Sequence, residues 1–154
     1  MEGKRVEESR IVLTQLMNVT DANVLGNVHG GLIMKLCDEA GGMAAAKHAR
    51  RAVVTVAVDS MNFLSPVRIG DLLTVTAEVT WTGRTSLETR VYALAENVLT
   101  GEVTHTNTAF FVYVGLDQNG RPTPVPPLIP QTETEKRRYA EAQVRQKERL
   151  QARD

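Results

Sequence analysis

Residues 21–42 constrain the possible fold of this chain more than any other part of its sequence. A polar, glycine-bearing loop (DANVLGNVHG) runs directly into an apolar helix (GLIMKLCDEAGG) that carries two adjacent carboxylates, Asp38 and Glu39. At about 100° per residue, Gly31, Lys35 and Asp38 fall on one narrow face, and apolar residues cover most of the remainder. The pattern predicts a helix that is buried nearly all round, with a single polar stripe.

A carboxylate in an apolar helix requires a partner, a polar cavity or a chemical role. Taken alone, the residues leave two interpretations of Asp38 open: an ion pair with Lys35, one turn earlier, or a catalytic group. Gly30 and Gly31 lie where the first unpaired N–H groups of the helix would face a ligand. A carboxylate about two turns from such amides is typical of a site that polarises a carbonyl.

The composition is that of an ordinary globular domain. The 154 residues are 42% hydrophobic with a formal net charge of zero, so the chain lacks the basic excess of most nucleic-acid binders. No apolar stretch approaches the roughly 20 residues that cross a bilayer, and the polar N-terminus lacks a signal-peptide core. We therefore expect a cytoplasmic location, with neither nucleic acid nor membrane as a partner. The single cysteine, Cys37, is interpreted as a small buried apolar side chain.

After Arg51 the hydrophobic period changes from helical to alternating. The pattern predicts strands at 8–17, 53–64, 72–81, 86–96 and 102–115. The last three are joined by short turns, which indicates an antiparallel meander. One buried helix and one such sheet predict an α+β domain in which the sheet wraps around the helix. Its threonine-rich outer face is expected to stay solvated.

The chain divides at the end of the last long strand. Residues 1–121 are expected to form one domain, and 122–154 a proline-rich connector (PTPVPPLIP) followed by a polar helix. The apolar side of that helix is thin, so it is expected to pack at an edge or a subunit boundary, or to fray.

The order of strand, loop, buried helix and long meander resembles the hotdog fold. DANVLGNVHGG followed by LIMKLCDEAGG resembles the acyl-CoA thioesterases of that superfamily, in particular the brain-type acyl-CoA hydrolases and their small bacterial relatives. Three further blocks agree in order: MNFLSPVRIGD, AEVTWTGRTSLE and ALAENVLTGEVTHTNTAFFVYV. The resemblance covers about residues 8–115, and the segment after Pro130 lies outside it.

This resemblance implies hydrolysis of fatty acyl-CoA to a free fatty acid and CoA. It assigns the helix acid to Asp38 and the loop asparagine to Asn23. Family members form dimers with sites at the interface, often as trimers of dimers, so a homodimer with shared sites, assembled as a hexamer, is expected. Coenzyme A belongs to the substrate, and no other cofactor is expected. No metal is expected either, because the histidines are not spaced as a ligand set.

Thioester hydrolysis requires an activated water or a carboxylate nucleophile, together with donors for the developing oxyanion. Asp38 could act as general base or as nucleophile, and the sequence does not separate these roles. The N–H of Gly31, with Gly30 beside it, is the candidate oxyanion donor. Asn23 could hold the water or the thioester carbonyl, although a turn residue is its alternative interpretation. His29 is interpreted as a hydrogen-bonding group at the helix start.

Candidate contacts to CoA lie in two polar turns, TGRTS and SPVR. They are Arg84, Thr85, Ser86, Ser65 and Arg68. The alternative interpretation is that these residues simply form ordinary turns, which have the same composition. Two other functions remain open: a hotdog dehydratase or hydratase acting on acyl thioesters, and a non-catalytic acyl-CoA-binding module. The first would need a histidine–acid pair, for which His29 is the only candidate. The presence of both Asn23 and Asp38 argues against the second.

Overall fold

The computed structural model describes residues 1–59 and 61–152. Within this part the strands are β1 (Lys4–Arg5), β2 (Ile11–Leu16), β3 (Ala52–Val58), β4 (Asp71–Thr82), β5 (Ser86–Asn97), β6 (Val103–Leu116) and β7 (Leu128–Ile129). The helices are α1 (Gly30–Ala49) and α2 (Glu133–Ala152). Two short 3-10 turns, Val6–Glu8 and Val19–Asp21, flank β2.

The five longer strands form one curled antiparallel sheet in the order β2-β4-β5-β6-β3. Its inner face packs on α1, and β1 pairs with β7 separately. The core contains alternate residues of β4 and β5 and the sheet-facing side of α1. This arrangement confirms the predicted α+β architecture, in which the sheet wraps around the helix.

The sequence pattern predicts this helix from about Gly30 to His48, and α1 ends one residue later than predicted, at Ala49. His29 is the N-cap residue, where the backbone leaves its extended path. At the other end Arg50 adopts a left-handed conformation (φ 52°), and its N–H donates to the carbonyl of Ala46 at 2.7 Å. Lys47 occupies the last turn, where its positive charge complements the helix dipole.

The second predicted strand is too long. We predicted a strand over 53–64, whereas β3 ends at Val58 and residues 61–64 are not in a strand. The N–H of Asp59 still donates to the carbonyl of Phe110 at 2.9 Å, and its carboxylate pairs with Arg149 of α2 at 2.7 Å. Ser60, which the prediction also included, lies outside the described residues.

The prediction that the outer face of the sheet stays solvated is wrong. Helix α2 packs across that face, where Arg145 and Arg149 both reach Glu88 of β5 at 2.9 Å and 2.6 Å. The Glu88 side chain is fully buried, and Thr80 donates to it at 2.6 Å. Paired charges therefore cover a face that the sequence predicted to be exposed to solvent.

Helix α1 is not buried all round within one chain. Cys37, Ala40 and Ala44 have no exposed surface, but Met34 and Met43 are each nearly half exposed. The sheet covers only one side of the helix, so the polar stripe and its apolar neighbours face outward. Within the described residues, neither helix is both long and apolar enough to cross a bilayer.

Candidate active site

Asp38 lies in the middle of α1, on the side that the sheet leaves open. Its side chain is exposed, and it lines an open groove of about 520 Å³ between α1, β3 and β6. Most of the surface that lines this groove is apolar, with Met43, Ala46 and Val53 among its residues. A carboxylate at the edge of such a groove is accessible to a ligand that carries an apolar chain.

Two hydroxyl groups hold the Asp38 carboxylate. Thr55 of β3 donates to its Oδ1 at 3.1 Å, and the phenol of Tyr113 of β6 lies 3.1 Å from the same oxygen. No described residue donates to the other oxygen, Oδ2. These two hydrogen bonds hold Oδ1 in place and leave Oδ2 free for a ligand or a water molecule.

Tyr113 is a buried donor. Burial raises the pKa of its phenol, and the negative charge of Asp38 raises that pKa further, because a phenolate beside a carboxylate would be repelled. The phenol therefore keeps its proton across the range in which proteins work. Its oxygen also lies 3.1 Å from the backbone carbonyl of Asp38, so it contacts both the side chain and the backbone of that residue.

The ion pair between Asp38 and Lys35, which the sequence left open, is not formed among the described residues. Lys35 instead lies 3.8 Å from Glu39, one turn later on the same helix. Both side chains are well exposed, so this pair contributes little to stability. Within the part of the chain that the structure describes, Asp38 has hydroxyl partners and no cationic one.

Asn23 organises the loop that precedes α1. Its side-chain oxygen accepts hydrogen bonds from the N–H groups of Leu25 at 2.9 Å and Asn27 at 3.2 Å, an Asx turn. Its Nδ2 group has no acceptor within residues 1–59 and 61–152. The turn interpretation is therefore correct for the oxygen of Asn23, while the amide protons stay available.

The start of α1 leaves two backbone donors open. The N–H of His29 donates to the carbonyl of Asp21 at 2.9 Å, and that of Leu32 to His29 at 3.1 Å. Between them, the amides of Gly30 and Gly31 have no acceptor in the described part of the chain. A Cβ at Gly31 would meet nothing within 4 Å, so a ligand could approach this backbone closely.

These groups do not surround one point in a single chain. Gly31 precedes Asp38 by seven residues, about 10 Å along the axis of a helix that rises about 1.5 Å per residue. An oxyanion donor and a reacting carboxylate must both come within about 3 Å of the same small group. Asn23 lies farther still along the chain, beyond the helix start.

The candidate CoA contacts fall into two further cavities. Ser65 and Arg68 line one of about 410 Å³ beside Asn97 and Glu102. Thr85 and Ser86 line another of about 460 Å³, between the outer face of the sheet and the end of α2. Arg84 is exposed in the turn beside it. Within one chain, neither cavity includes Asp38.

Sequence reasoning missed Thr55 and Tyr113. The two residues are directly paired across β3 and β6, so their hydroxyls reach Asp38 from adjacent strands. The only local signal was a threonine at an inward position of the otherwise apolar strand AVVTVAV. Nothing local marks Tyr113, because a tyrosine in a strand is common. Among the described residues, no group of three or more His, Cys, Asp or Glu side chains could hold a metal ion.

Comparison with known proteins identifies the family. Residues 25–102, about half of the chain, match the sequence model of the thioesterase superfamily. The chain belongs to this superfamily. Cytosolic acyl coenzyme A thioester hydrolase of Rattus norvegicus is 39% identical over 146 residues, which are 94% of this chain. The match spans only 38% of that relative, so the chain covers about two fifths of the length of the mammalian enzymes it matches.

Solved structures confirm the hotdog fold. A hexameric acyl-CoA thioesterase is 42% identical and superposes with a TM-score of 0.95, covering 99% of this chain and 97% of that one. An acyl-CoA hydrolase from Staphylococcus aureus, solved with butyryl coenzyme A and coenzyme A, is 31% identical with a TM-score of 0.90 (97% and 92% covered). Variants of that hydrolase have been solved in which an Asn, an Asp and a Thr are replaced by Ala. Those three positions are separated by 15 and 17 residues along its chain.

Proposed function

We propose that this chain is an acyl-CoA thioesterase, which hydrolyses fatty acyl-CoA to a free fatty acid and CoA in the cytosol. The observation that carries the proposal is the Asp38 carboxylate, held by two hydroxyls at the edge of an open, mostly apolar groove. Membership of the thioesterase superfamily and the names of the related proteins agree with it. In the reaction, water supplies the oxygen that bonds to the thioester carbon, the C–S bond breaks and the thiol of CoA leaves.

Three residues of this chain have the spacing of the Staphylococcus aureus variants. Asn23 precedes Asp38 by 15 residues, and Thr55 follows Asp38 by 17. The identical types at identical separations support the assignment of Asn23, Asp38 and Thr55 to one site. We assign Asp38 the role of general base toward water or of nucleophile toward the thioester, and Thr55 that of holding the carboxylate.

Each site is proposed to contain residues of two subunits. The free amide of Gly31 lies at the start of α1, about 10 Å from Asp38 along the helix axis, and Asn23 lies in the loop before that helix. A second chain, related by a two-fold axis, would bring its helix start to the Asp38 of the first. Gly31 would then donate to the oxyanion, and Asn23 would hold the thioester carbonyl or the water, beside the partner subunit's Asp38.

The exposed edge of the sheet supports this dimer. β3 is an edge strand, and Val54, Val56 and Val58 are each 43–46% exposed. An apolar edge strand with free backbone groups requires a partner or it aggregates. Pairing of β3 with the β3 of a second chain would join two sheets and close the open side of α1. Assembly of three such dimers would give a hexamer, the state of the related thioesterase.

The CoA moiety is proposed to lie along the two polar turns. Phosphate groups suit Arg84 and Arg68 as charged contacts and Ser65, Thr85 and Ser86 as hydroxyl donors. Because their cavities do not include Asp38 of the same chain, we assign them to CoA bound across the dimer. His29 is assigned to hydrogen bonding at the helix start. The reaction needs water and the acyl-CoA itself, and neither a metal nor another cofactor has a step in it.

The activity is tested by incubating the full chain with palmitoyl-CoA and with crotonyl-CoA while free thiol and enoyl absorbance are followed together. Release of thiol supports hydrolysis. Loss of enoyl absorbance without thiol indicates a hydratase, and binding without turnover indicates a non-catalytic module. Asp38→Asn should reduce thiol release by about a hundredfold or more with the melting temperature retained, because the shape is kept and the base is lost. Near-normal turnover would remove Asp38 from the mechanism.

The shared site is tested by mixing two inactive proteins, Asn23→Ala and Asp38→Ala, and letting subunits exchange. A mixed dimer has one site with both changes and one site with neither. Random mixing makes about half of the dimers mixed, so about a quarter of all sites regain full activity. If both residues belonged to one site within a chain, every site would keep a defect and no activity would return. Native mass spectrometry verifies the exchange.

A further inference from the structure

We propose that Tyr113 is a positioning residue for thioester hydrolysis: its buried phenol fixes Oδ1 of Asp38, so that Oδ2 is presented to the substrate groove. The inference rests on the proposed catalytic role of Asp38. Tyr113 itself lines the groove beside that residue. Its effect on the reaction is exerted through the carboxylate.

The contacts of Tyr113 restrain Asp38 from two directions. The phenol oxygen lies 3.1 Å from Oδ1 and 3.1 Å from the backbone carbonyl of the same residue, so its proton ties the side chain to its own helix turn. The ring is only 1% exposed and cannot swing away into solvent. Thr55, the cross-strand neighbour of Tyr113, holds the same oxygen at 3.1 Å.

The absence of a side chain at Gly41 of α1 leaves room for the Tyr113 phenol. A Cβ at this position would lie 2.6 Å from the Tyr113 oxygen and 2.8 Å from Oγ1 of Thr89. Both distances are shorter than side chains tolerate, and both neighbours are buried. A glycine inside a helix costs about 1 kcal/mol relative to alanine. At Gly42, by contrast, a Cβ would lie 3.7 Å from the nearest Tyr113 atom, an ordinary contact.

The charges around the phenol make it a permanent donor. The groups that face it are the carboxylate of Asp38 on α1 and the uncharged hydroxyls of Thr55 on β3 and Thr89 on β5. Among the described residues that line the groove, the only further titratable group is Glu39, whose partner is Lys35. Burial and the adjacent carboxylate raise the pKa of Tyr113, so the phenol keeps its proton and remains a donor.

The test compares Tyr113→Phe with Tyr92→Phe over a pH series of thiol release from palmitoyl-CoA. Loss of a donor to the charged carboxylate favours its protonated form, so the acid limb of the kcat profile should move to higher pH by about one unit in Tyr113→Phe. On the plateau kcat should fall about tenfold, with KM within about twofold. Tyr92→Phe loses a hydroxyl on the outer face of the sheet and keeps its ring beside Arg90. The acid limb of its kcat profile should therefore stay at the wild-type pH.

Gly41→Ala and Gly42→Ala form a second pair, which decides the question if Tyr113→Phe fails to fold. Both changes add one methyl group and favour the helix. Only Gly41→Ala displaces the phenol, so only this variant should move the acid limb and lower kcat. A wild-type profile in Tyr113→Phe, or lost activity with an unmoved limb, would overturn the positioning role. An active Asp38→Asn would overturn the proposed role of Asp38 instead, which separates the two failures.

Discussion

Seventeen residues separate Asp38 from Thr55 along the chain, yet the hydroxyl of Thr55 donates to the Asp38 carboxylate at 3.1 Å. The contact joins the exposed side of α1 to the edge strand β3. Since it fixes an oxygen of the proposed base or nucleophile, its loss should affect turnover more than stability.

Thr55→Val keeps the branched shape that suits a strand and removes only the hydroxyl. We expect kcat to fall about tenfold or more while the melting temperature changes little, because the site is exposed on the groove side. Thr55→Ser is the matched control, since it retains the donor and should keep most of the activity. Equal activity in both variants would show that the hydroxyl has no part in the reaction.

His48 should make the fold sensitive to mild acid. It is fully buried, and its Nε2–H donates to the carbonyl of Pro126 at 2.8 Å. Burial lowers the pKa of His48 below its ordinary value of 6.5, although the bond to Pro126 partly opposes this. The unfolded chain then binds a proton at a pH where the folded chain does not, so stability is complete above pH 6.5 and decreases as the pH falls below it.

The measurement is urea denaturation of wild type and His48→Gln between pH 5 and pH 8. Glutamine can still donate to Pro126 but does not titrate, so the decrease of unfolding free energy below about pH 6.5 should be shallower in the variant. Parallel curves for the two proteins would assign the acid sensitivity to other groups.

Glu88 should be a main anchor of α2. Its buried carboxylate receives Arg145 and Arg149 of that helix. Glu88→Gln leaves Arg145 without its anion and Arg149 with Asp59 alone, and breaking a buried pair in this way costs about 3 kcal/mol or more. The expected result is a clearly lower urea midpoint. Glu133→Gln, which alters an exposed pair at 3.7 Å on the same helix, is the control and should leave the midpoint in place.

The outward valines of β3 should decide the oligomeric state. Val54→Lys together with Val56→Lys places charges on the edge that is proposed to pair, and lysine on an edge strand opposes strand addition. We expect monomers in sedimentation velocity and loss of turnover. Val12→Lys, on the opposite edge strand β2, should leave the β3-paired dimer intact. A double variant that stays dimeric would move the interface elsewhere.

The sequence predicts those parts of the fold that depend on local periodicity. The bounds of α1 and the antiparallel meander of β4, β5 and β6 follow from patterns within single segments and their short turns. The cover over the outer face does not, because it depends on Arg145 and Arg149 meeting Glu88 across 57 and 61 residues. The end of β3 at Val58 was also missed, because apolar residues continue in the sequence at Met61, Phe63 and Leu64.

The candidate site divides in the same way. Asp38 is visible in the sequence because a carboxylate in an apolar helix is locally anomalous. Thr55 and Tyr113 have hydroxyls that are ordinary in strands, and only the register of β3 against β6 brings both to Asp38. The turn residues Arg84 and Arg68 look alike in sequence, yet tertiary structure separates them onto different surfaces.

β3 has two roles in the structure. It positions Thr55 beside Asp38, and it is an edge strand of the sheet. Its register is also irregular between Thr55 and Ala57, next to the residue that touches the carboxylate. A strand that is paired on one side only is more mobile at its free edge, and pairing with a second chain would reduce that motion. Catalytic rate per chain should therefore be a function of protein concentration. On dilution, specific activity should decline while circular dichroism reports folded protein, and the midpoint of that decline measures the dissociation constant of the assembly.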